Sequence, residues 1–256
     1  MFSLGGHTAL VAGASRGIGL AIAKAMAAQG AHTVLAARSH DTLESEAARL
    51  REAGWSAEAL HLNMTDNESI DASADGCRDV DILVNVAGTN VRRRIQDYTA
   101  EEYERIMQTN LHGIVRLTRL IGNRMVERGH GGKVINIGSL MSVLGLPYLS
   151  IYAMTKSALA GLTRVLAAEW AHADIQVNCI APGFILTDLN REMWQPERMV
   201  EWLSGVQANP RLGTPDDIAG LAAFLASPAA NYITGQVIAS DGGYTTTAKW
   251  PFHPPS

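Results

Sequence analysis

The sequence predicts an α/β fold in which a mainly seven-stranded parallel sheet carries helices on both faces. Short apolar segments rich in Val, Ile and Ala alternate with longer segments of helical periodicity along the 256-residue chain. The apolar segments lack the in–out alternation of a one-sided sheet, as expected for strands buried on both faces. Parallel strands joined by right-handed helical crossovers form a doubly wound sheet.

The predicted elements follow one another without a linker, so we expect a single domain. Strands are predicted at residues 8–12, 33–36, 57–62, 82–86, 133–137, 175–180 and 236–239. Helices are predicted at residues 17–29, 41–53, 100–128, 151–172 and 215–226. Segment 66–81 is short for a complete crossover, so its helix is expected to be stunted.

Composition narrows the class of protein. Hydrophobic residues make up 47% of the chain and the formal charge is −4, which gives no general reason to expect nucleic acid or an anionic membrane as a partner. The two cysteines, Cys77 and Cys179, do not suggest a disulfide framework. No signal-like N-terminus and no apolar run of roughly 18 residues is present. We therefore expect a soluble cytoplasmic protein, and no metal site, because the histidines lack paired spacing.

A glycine-rich segment connects the first predicted strand to the first helix. Glycines permit a tight turn and the close approach of a pyrophosphate, and the helix N-terminus offers free N–H groups to the anion. This context predicts a dinucleotide site of the Rossmann type, the alternative being a glycine-rich turn without a ligand. The expected contact residues are Gly13, Ser15, Arg16, Gly17, Ile18 and Gly19.

The end of the second strand bears on the choice of cofactor. NAD(H) enzymes usually place a carboxylate there, whereas this chain has Ala36-Ala37-Arg38-Ser39. Arg38 and Arg16 are able to bind a 2′-phosphate through charge-assisted hydrogen bonds. NADP(H) is therefore predicted over NAD(H); the alternative is that both arginines are solvated surface charges.

Tyr152 and Lys156 are four residues apart at the start of a helix and hence share a face. A free phenol titrates near pH 10, and a nearby ammonium lowers that pKa toward neutrality. Ser139 ends the fifth strand, where it can donate a hydrogen bond to a substrate oxygen. With Asn110 holding a water beside Lys156, these residues predict reversible hydride transfer between a nicotinamide and a carbonyl carbon.

The order of motifs resembles the short-chain dehydrogenase/reductase family over residues 4–244. The motifs are the glycine segment, Asn85-Val86-Ala87-Gly88, Asn110, Ser139, Tyr152-x-x-x-Lys156, Pro182-Gly183 with Thr187, and Asp241-Gly242-Gly243. The resemblance assigns the same four catalytic residues and implies further cofactor contacts from Asn63, Met64, Asn85, Ala87, Gly88, Tyr152, Lys156, Pro182, Gly183, Ile185 and Thr187. It also implies a homotetramer built through the helices at 100–128 and 151–172.

Two positions depart from the family pattern. Asn63 stands where an Asp usually contacts the adenine amino group, and it keeps a carbonyl acceptor but not the charge. Val86 replaces the second Asn of the commoner Asn-Asn-Ala-Gly.

Segments 88–94, 137–142 and 182–190 are most similar to the gluconate 5-dehydrogenase branch of the family. That likeness implies a sugar acid such as gluconate or 5-ketogluconate, with Arg92 approaching its carboxylate and Met141, Tyr148 and Trp194 forming the pocket wall. The alternative for Arg92-Arg93-Arg94 is a solvated loop or a subunit contact. The alternative activities are a 3-oxoacyl-carrier-protein reductase or a broad carbonyl reductase. A catalytically silent NADP(H)-binding regulator is the remote alternative, and it would predict decay of the four catalytic residues.

Two peripheral segments carry further expectations. Residues 187–211 carry Met193, Trp194, Met199 and Trp202 around Pro196, which predicts a lid over the ligand crevice or else an amphipathic helix capping the core. Tail 245–256 carries Trp250, Phe252 and three prolines. It is expected either to close a neighbouring subunit's pocket or to be disordered.

Overall fold

Seven parallel strands form one sheet in the computed structural model, which describes residues 1–248. The strands are β1 Thr8–Ala12, β2 His32–Ala37, β3 Ala57–His61, β4 Ile82–Asn85, β5 Gly132–Ile137, β6 Ile175–Pro182 and β7 Val237–Ser240. The seven predicted strands are confirmed. The sixth extends two residues further than predicted because residues 179–182 pair with residues 237–240 of β7.

The strand order is β3-β2-β1-β4-β5-β6-β7, so the chain reverses its direction of progression between β1 and β4. A doubly wound sheet opens a ligand crevice at such a switch point, beyond the carboxyl ends of the strands. The two strands remain joined there, since Ala12 O accepts hydrogen bonds from the N–H groups of Val86 (2.9 Å) and Ala87 (2.8 Å).

Helices cover both faces of the sheet, as predicted. The helices are α1 Gly17–Ala28, α2 His40–Glu52, α3 Asn67–Gly76, α4 Ala100–Met107, α5 Gly113–Arg128, α6 Ser150–Glu169, α7 Glu197–Val206 and α8 Pro215–Ala226. Alternate residues of β1 enter separate cores, because successive strand side chains point to opposite faces. Val11 packs in the core that includes α1, α2 and α8. Leu10 packs in the core that includes α3, α5 and α6.

The region predicted as one helix at 100–128 is divided. A π-helical segment, Gln108–His112, separates α4 from α5. The outer bounds agree with the prediction because Thr99 forms a capping box with Glu102 and Gly129 takes a left-handed φ of 68° after the last turn. Wider π turns often occur at functional sites, and this one contains Asn110.

Other differences are small. Helix α6 ends at Glu169, earlier than predicted, and a 3₁₀ turn at Ala171–Ala173 follows. Helix α3 has ten residues, as short as expected. Segment 187–211 contains a 3₁₀ turn at Glu192–Trp194 and then α7. No helix in residues 1–248 is long and apolar enough to cross a membrane. Residues 249–256, including Trp250 and Phe252, lie outside the described residues.

Candidate active site

The four side chains predicted to be catalytic lie at the carboxyl edge of the sheet. Ser139 follows β5, Tyr152 and Lys156 are in the first two turns of α6, and Asn110 is in the π-helical segment. Lys156 Nζ lies 5.7 Å from the centre of the Tyr152 ring. The Ser139 hydroxyl is close enough to the Tyr152 phenol to lower its pKa. The fold thus brings together residues that are separated by up to 46 positions in the chain.

Gly88 joins this group to the loop that follows β4. A Cβ atom at Gly88 would lie 3.6 Å from Asn110 Oδ1 and 3.7 Å from Lys156 Nζ. Lys156 Nζ itself donates to the carbonyl of Ile137 at 2.7 Å. The ammonium is therefore held between the end of β5 and Gly88.

Asn110 is completely buried, and its amide clamps one residue of the β4 loop. Asn110 Oδ1 accepts from Thr89 N at 2.7 Å, and Asn110 Nδ2 donates to Thr89 O at 2.8 Å. A longer bond from Nδ2 reaches Thr155 Oγ1 at 3.4 Å. Since these contacts occupy the amide, Asn110 acts on the site by fixing the backbone at Thr89. Sequence reasoning did not foresee this use of Thr89.

The electrostatics differ from the simple tyrosine–lysine expectation. Burial raises the pKa of Tyr152, and the hydrogen bond from Ser139 and the positive charge of Arg92 oppose that rise. Burial also lowers the pKa of Lys156 to about 8, against the influence of the Cys179 thiol. The expected lowering of the Tyr152 pKa by the Lys156 ammonium is therefore wrong: the pKa is raised, and the groups that oppose the rise are Ser139 and Arg92. Both effects have one cause, which is that burial disfavours the charged form of each group.

The glycine-rich turn has the shape that a dinucleotide requires. Gly13 takes a φ of 105°, and a Cβ there would lie 2.6 Å from Ala87 N, so only glycine fits. A Cβ at Gly19 would collide with the carbonyl of Gly13. No side chain caps the N-terminus of α1 within the described residues, which leaves its first N–H groups for an anion. The half-buried Ser15 and Ile18 complete this turn.

Two exposed arginines flank that turn. The N–H groups of Gly13 and Ala14 both donate to Ala36 O, at 2.7 and 3.1 Å, so the glycine turn is joined to the end of β2. Arg16 and Arg38 are exposed at these two segments, and neither forms an ion pair within residues 1–248. Unpaired guanidinium groups beside a pyrophosphate cradle suit an additional phosphate. The residues present therefore fit NADP(H).

Three residues predicted to contact the cofactor, Asn63, Met64 and Asn85, have side chains that are buried or bonded to other parts of the protein. Asn63 Oδ1 accepts from Thr65 N at 3.2 Å and from Thr65 Oγ1 at 2.9 Å, so the acceptor expected for adenine is already occupied. Met64 is buried. Asn85 is fully buried, and its Nδ2 donates at 2.9 Å to Thr118 Oγ1 on α5 and to Asn136 Oδ1 on β5. The Asn85 side chain thus joins elements beneath the site and has no open face toward a cofactor.

The loop after β6 is held in a tight turn next to the glycine segment. Asn190 Nδ2 donates to Ile185 O and Asn190 Oδ1 accepts from Thr187 N, both at 2.8 Å. Thr187 Cγ2 would lie 3.5 Å from a Cβ at Gly17. Thr187 is therefore beside the pyrophosphate cradle. Asn190 was not among the predicted site residues, although a side chain that returns to nearby backbone could have been suspected from the Thr187-x-x-Asn190 spacing.

Pro182 and Gly183 lie where β6 meets the end of β7. Gly183 N donates to Ser240 O at 2.9 Å. A Cβ at Gly183 would lie 2.6 Å from the Cα of Asp241, so the close packing of the two strand ends requires glycine. Asp241, the first residue of the Asp241-Gly242-Gly243 motif, thus packs against the loop after β6, whereas Gly242 packs against Gln207.

The three consecutive arginines have different environments. Arg93 has a structural role. Its guanidinium donates to the Glu102 carboxylate at 2.8 Å, and its backbone N–H donates to the carbonyl of Tyr148 at 3.0 Å. Arg92 is exposed and unpaired within the described residues, and its charge acts on the pKa of Tyr152. Arg92 is therefore the one of the three arginines whose charge acts on the Tyr152 phenol. Tyr148 is 54% exposed and takes a φ of 69°.

Met141 and Trp194 have little surface to offer as a pocket wall, because they are only 2% and 5% exposed. Phe184 explains the burial of Trp194: it packs edge-on against Trp194 and Trp202 at 5.4 Å and against Tyr244 at 5.0 Å. This cluster of four aromatic rings joins α7 to the loops after β6 and β7. Within this cluster only Trp194 is buried, whereas Tyr148 is the exposed residue of the predicted pocket wall.

The arrangement defines a nicotinamide-dependent oxidoreductase. A family model described as enoyl-(acyl carrier protein) reductase matches residues 13–245. The chain is 42% identical to the 2-dehydro-3-deoxy-D-gluconate 5-dehydrogenase of Bacillus subtilis, covering 95% of this chain and 96% of that one. It is 40% identical to a 3-oxoacyl-(acyl-carrier-protein) reductase of Vibrio harveyi, over 94% and 98% of the two chains.

Structural similarity points the same way. A gluconate 5-dehydrogenase from Burkholderia cenocepacia, solved in complex with NADP and tartrate, superposes with a TM-score of 0.92 at 35% identity, over 96% and 98% of the two chains. The protein belongs to the short-chain dehydrogenase/reductase family. Its relatives are dehydrogenases and reductases that act on CH–OH groups, so it is an oxidoreductase of that class.

Proposed function

We propose that the protein interconverts a ketone and a secondary alcohol with NADP(H), and that its substrate is a sugar acid such as gluconate or 5-ketogluconate. The observation that carries the proposal concerns Arg92. This arginine is exposed and forms no ion pair within the described residues, and its positive charge acts to lower the pKa of the Tyr152 phenol. A carboxylate held by this arginine would place a neighbouring carbonyl near Tyr152. The gluconate-related names of the Bacillus and Burkholderia proteins support the choice.

In this proposal the nicotinamide supplies the hydride in reduction and accepts it in oxidation. Ser139 donates a hydrogen bond to the substrate oxygen, and Tyr152 gives that oxygen its proton. Lys156, whose pKa is lowered to about 8 by burial, can take up or release a proton near neutral pH and replenish Tyr152. Asn110 keeps the Gly88–Thr89 turn in place beside Lys156. The intact set of four residues argues against a catalytically silent regulator.

The proposed cofactor contacts form two groups around this centre. The glycine turn and Arg38 hold the adenosine phosphates. The residues proposed for the nicotinamide half are Ala87, Gly88, Tyr152, Lys156, Pro182, Gly183, Ile185 and Thr187. Asn63 and Met64 remain proposed neighbours of the adenine through their backbone, since the Asn63 side-chain oxygen is already bonded.

We propose that Arg38 selects NADP(H) over NAD(H). A charge-assisted hydrogen bond contributes about 1.5–3 kcal/mol, which corresponds to roughly 10- to 150-fold in affinity. Arg38→Ala should therefore raise KM for NADPH by at least tenfold and leave KM for NADH nearly unchanged. Equal effects on both cofactors would contradict a role at the 2′-phosphate.

The substrate proposal is tested by steady-state NADPH oxidation with 5-ketogluconate. Arg92→Ala should raise KM for this acid by roughly 10- to 150-fold, because one charge-assisted contact to the carboxylate is lost. Arg94→Ala is the matched control, since Arg94 is a neighbouring exposed arginine that is absent from the charges acting on Tyr152. An uncharged aryl ketone should be reduced equally well by both variants. No turnover of sugar acids by the wild-type enzyme would overturn the proposal.

A second candidate is reduction of 3-oxoacyl thioesters. It is supported by the Vibrio relative and by exposed apolar side chains on the loops around the site: Val143 (51%), Tyr148 (54%) and Leu189 (72%). An acetoacetyl thioester separates the two candidates. Activity confined to that substrate would favour this alternative over the sugar acid, and equal activity on aryl ketones would favour a broad carbonyl reductase.

We further infer a homotetramer that acts in the cytoplasm. Exposed apolar residues on the long helices support assembly: Val115 on α5 (38% exposed) and Met154 and Val165 on α6 (50% and 53%). The cysteines Cys77 and Cys179 are unpaired and buried, as is common in a reducing compartment. Light scattering on the purified protein tests the assembly, and a monomeric mass would contradict it.

We also propose that segment 187–211 is a lid attached through the Phe184 ring cluster. Its Trp202 is 39% exposed although it packs on Phe184, so one side of α7 still presents apolar surface. Faster proteolysis of this segment without NADP(H) than with it would support a lid, and unchanged rates would favour a simple cap. For tail 245–256, closure of a neighbouring pocket predicts that deleting residues 249–256 alters KM for substrate.

A further inference from the structure

A cleft lies at the opposite edge of the sheet from the four candidate catalytic residues, Asn110, Ser139, Tyr152 and Lys156. Its volume is about 140 Å³, and its lining includes His7, Asp81, Lys133, Asp174 and Asn231. Lys133 is the second residue of β5, whereas Ser139 follows the other end of that strand. The cleft is therefore separated from the oxidoreductase site by the full length of the sheet.

Lys133 is an unusual residue for such a place. It is only 9% exposed, and its Nζ donates one hydrogen bond, of 2.6 Å, to Asn231 Oδ1. Among residues 1–248, no carboxylate lies within ion-pairing distance of Nζ. A buried ammonium without a paired carboxylate is costly, so a larger fraction of Lys133 is neutral at a given pH than of an exposed lysine. Burial accordingly lowers the pKa of Lys133 to about 8, with the charge of Asp174 opposing.

The neutral form of the Lys133 amine is a nucleophile. The charges and size of the cleft limit which groups can be attached to Nζ. The carboxylates of Asp81 and Asp174 line the same space, so a product that adds negative charge at Nζ is disfavoured. A neutral amide removes the buried charge instead. Its remaining N–H can still donate to Asn231 Oδ1, and the cleft has room for a group of a few heavy atoms. The histidines His7 and His130 are the other titratable side chains along its wall.

We propose that Lys133 is a site of covalent acylation by small activated acyl donors, namely acyl phosphates or acyl thioesters. The amine nitrogen attacks the acyl carbonyl carbon and a C–N bond forms. The bond from that carbon to the phosphate oxygen or the thioester sulfur breaks, and the leaving group keeps its electron pair. The amine releases one proton, so the step needs no oxidant or reductant.

The low lysine content makes this testable on the native chain, which has four lysines: Lys24, Lys133, Lys156 and Lys249. The folded protein is treated with acetyl phosphate in one arm and an acetyl thioester in the other, and site occupancy is followed by peptide mass spectrometry. At pH near 7.5 a pKa of about 8 leaves roughly two hundredfold more free amine than an ordinary lysine has. We expect Lys133 to be acetylated at least tenfold faster than Lys24, whose side chain is 46% exposed on α1.

The pH dependence gives an independent readout. The acetylation rate at Lys133 should level off above about pH 8, whereas that of an ordinary lysine rises toward pH 10. Unfolding in urea should abolish the advantage. Lys133→Arg should lose the label while keeping full turnover, because the charge is retained far from the four candidate catalytic residues; if that variant does not fold, the wild-type pH profile decides. Labelling of Lys133 no faster than Lys24 in both arms would overturn the proposal, and reaction in one arm only would identify the donor.

Discussion

Replacing Asn110 by alanine should both destabilise the fold and disturb the site, because its amide holds Thr89 by two short hydrogen bonds. The bonds to Thr89 N and Thr89 O measure 2.7 and 2.8 Å. Each hydrogen bond to a partly buried backbone group contributes about 1 kcal/mol, so their loss and the small cavity left behind should cost about 2–3 kcal/mol. The Gly88–Thr89 turn then loses its anchor beside Lys156, and kcat/KM should fall by at least tenfold.

The assay is denaturant unfolding at one fixed protein concentration, together with NADPH turnover. His112→Ala is the matched control, because His112 belongs to the same π-helical segment but is exposed and makes one bond of 3.3 Å to Gln108. That control should change the free energy of unfolding by less than about 0.5 kcal/mol. If Asn110→Ala matched the control in stability and turnover, the clamp on Thr89 would have no energetic importance and the argument would fail.

The other predictions concern chemistry, packing and charge. Tyr152→Phe should abolish turnover yet still bind NADPH, as fluorescence titration would show; near-normal turnover would remove Tyr152 from the mechanism. Gly122→Ala should cost about 1–3 kcal/mol in a denaturant titration, because its Cβ would lie 2.6 Å from Trp170 Cζ2 in a closely packed contact; wild-type stability would mean that the indole shifts freely. Lys133→Met should be more stable than wild type by about 1–2 kcal/mol below pH 8. The folded pKa of Lys133 lies below its unfolded value, so wild-type stability rises above pH 8 and the difference should shrink toward pH 10; a constant difference would contradict the lowered pKa.

Much of the architecture could be predicted because it depends on local patterns. The strands were found from short apolar runs, and α8 was predicted with the bounds that the structure gives it, Pro215–Ala226. Its start is marked by a proline after Thr214 and by Asp217, which completes a capping box. The π-helical segment at Gln108–His112 has no comparable local signal, since a single wider turn changes neither composition nor periodicity appreciably.

In the candidate site, too, some residues could be identified from the sequence and others could not. Residue types and spacing were sufficient to single out Gly13, Ser139, Tyr152 and Lys156 as site candidates, and the fold brings Ser139, Tyr152 and Lys156 together at the carboxyl edge of the sheet. Residue type and spacing were insufficient for Asn85, whose side-chain amide donates hydrogen bonds to Thr118 on α5 and Asn136 on β5. The partners of a polar side chain depend on which distant segments arrive beside it, and the sequence does not state that.

By itself the sequence determined the doubly wound α/β fold, the dinucleotide site and the reaction class, because strand burial, glycine turns and an i, i+4 pair are local properties. Only the tertiary structure decided which arginine's charge acts on Tyr152, that Asn110 clamps Thr89, and that Lys133 is a buried lysine without a paired carboxylate in the described residues. These facts depend on desolvation and on contacts between residues far apart in the chain. Burial shifts the pKa of a lysine only after the surrounding elements have packed.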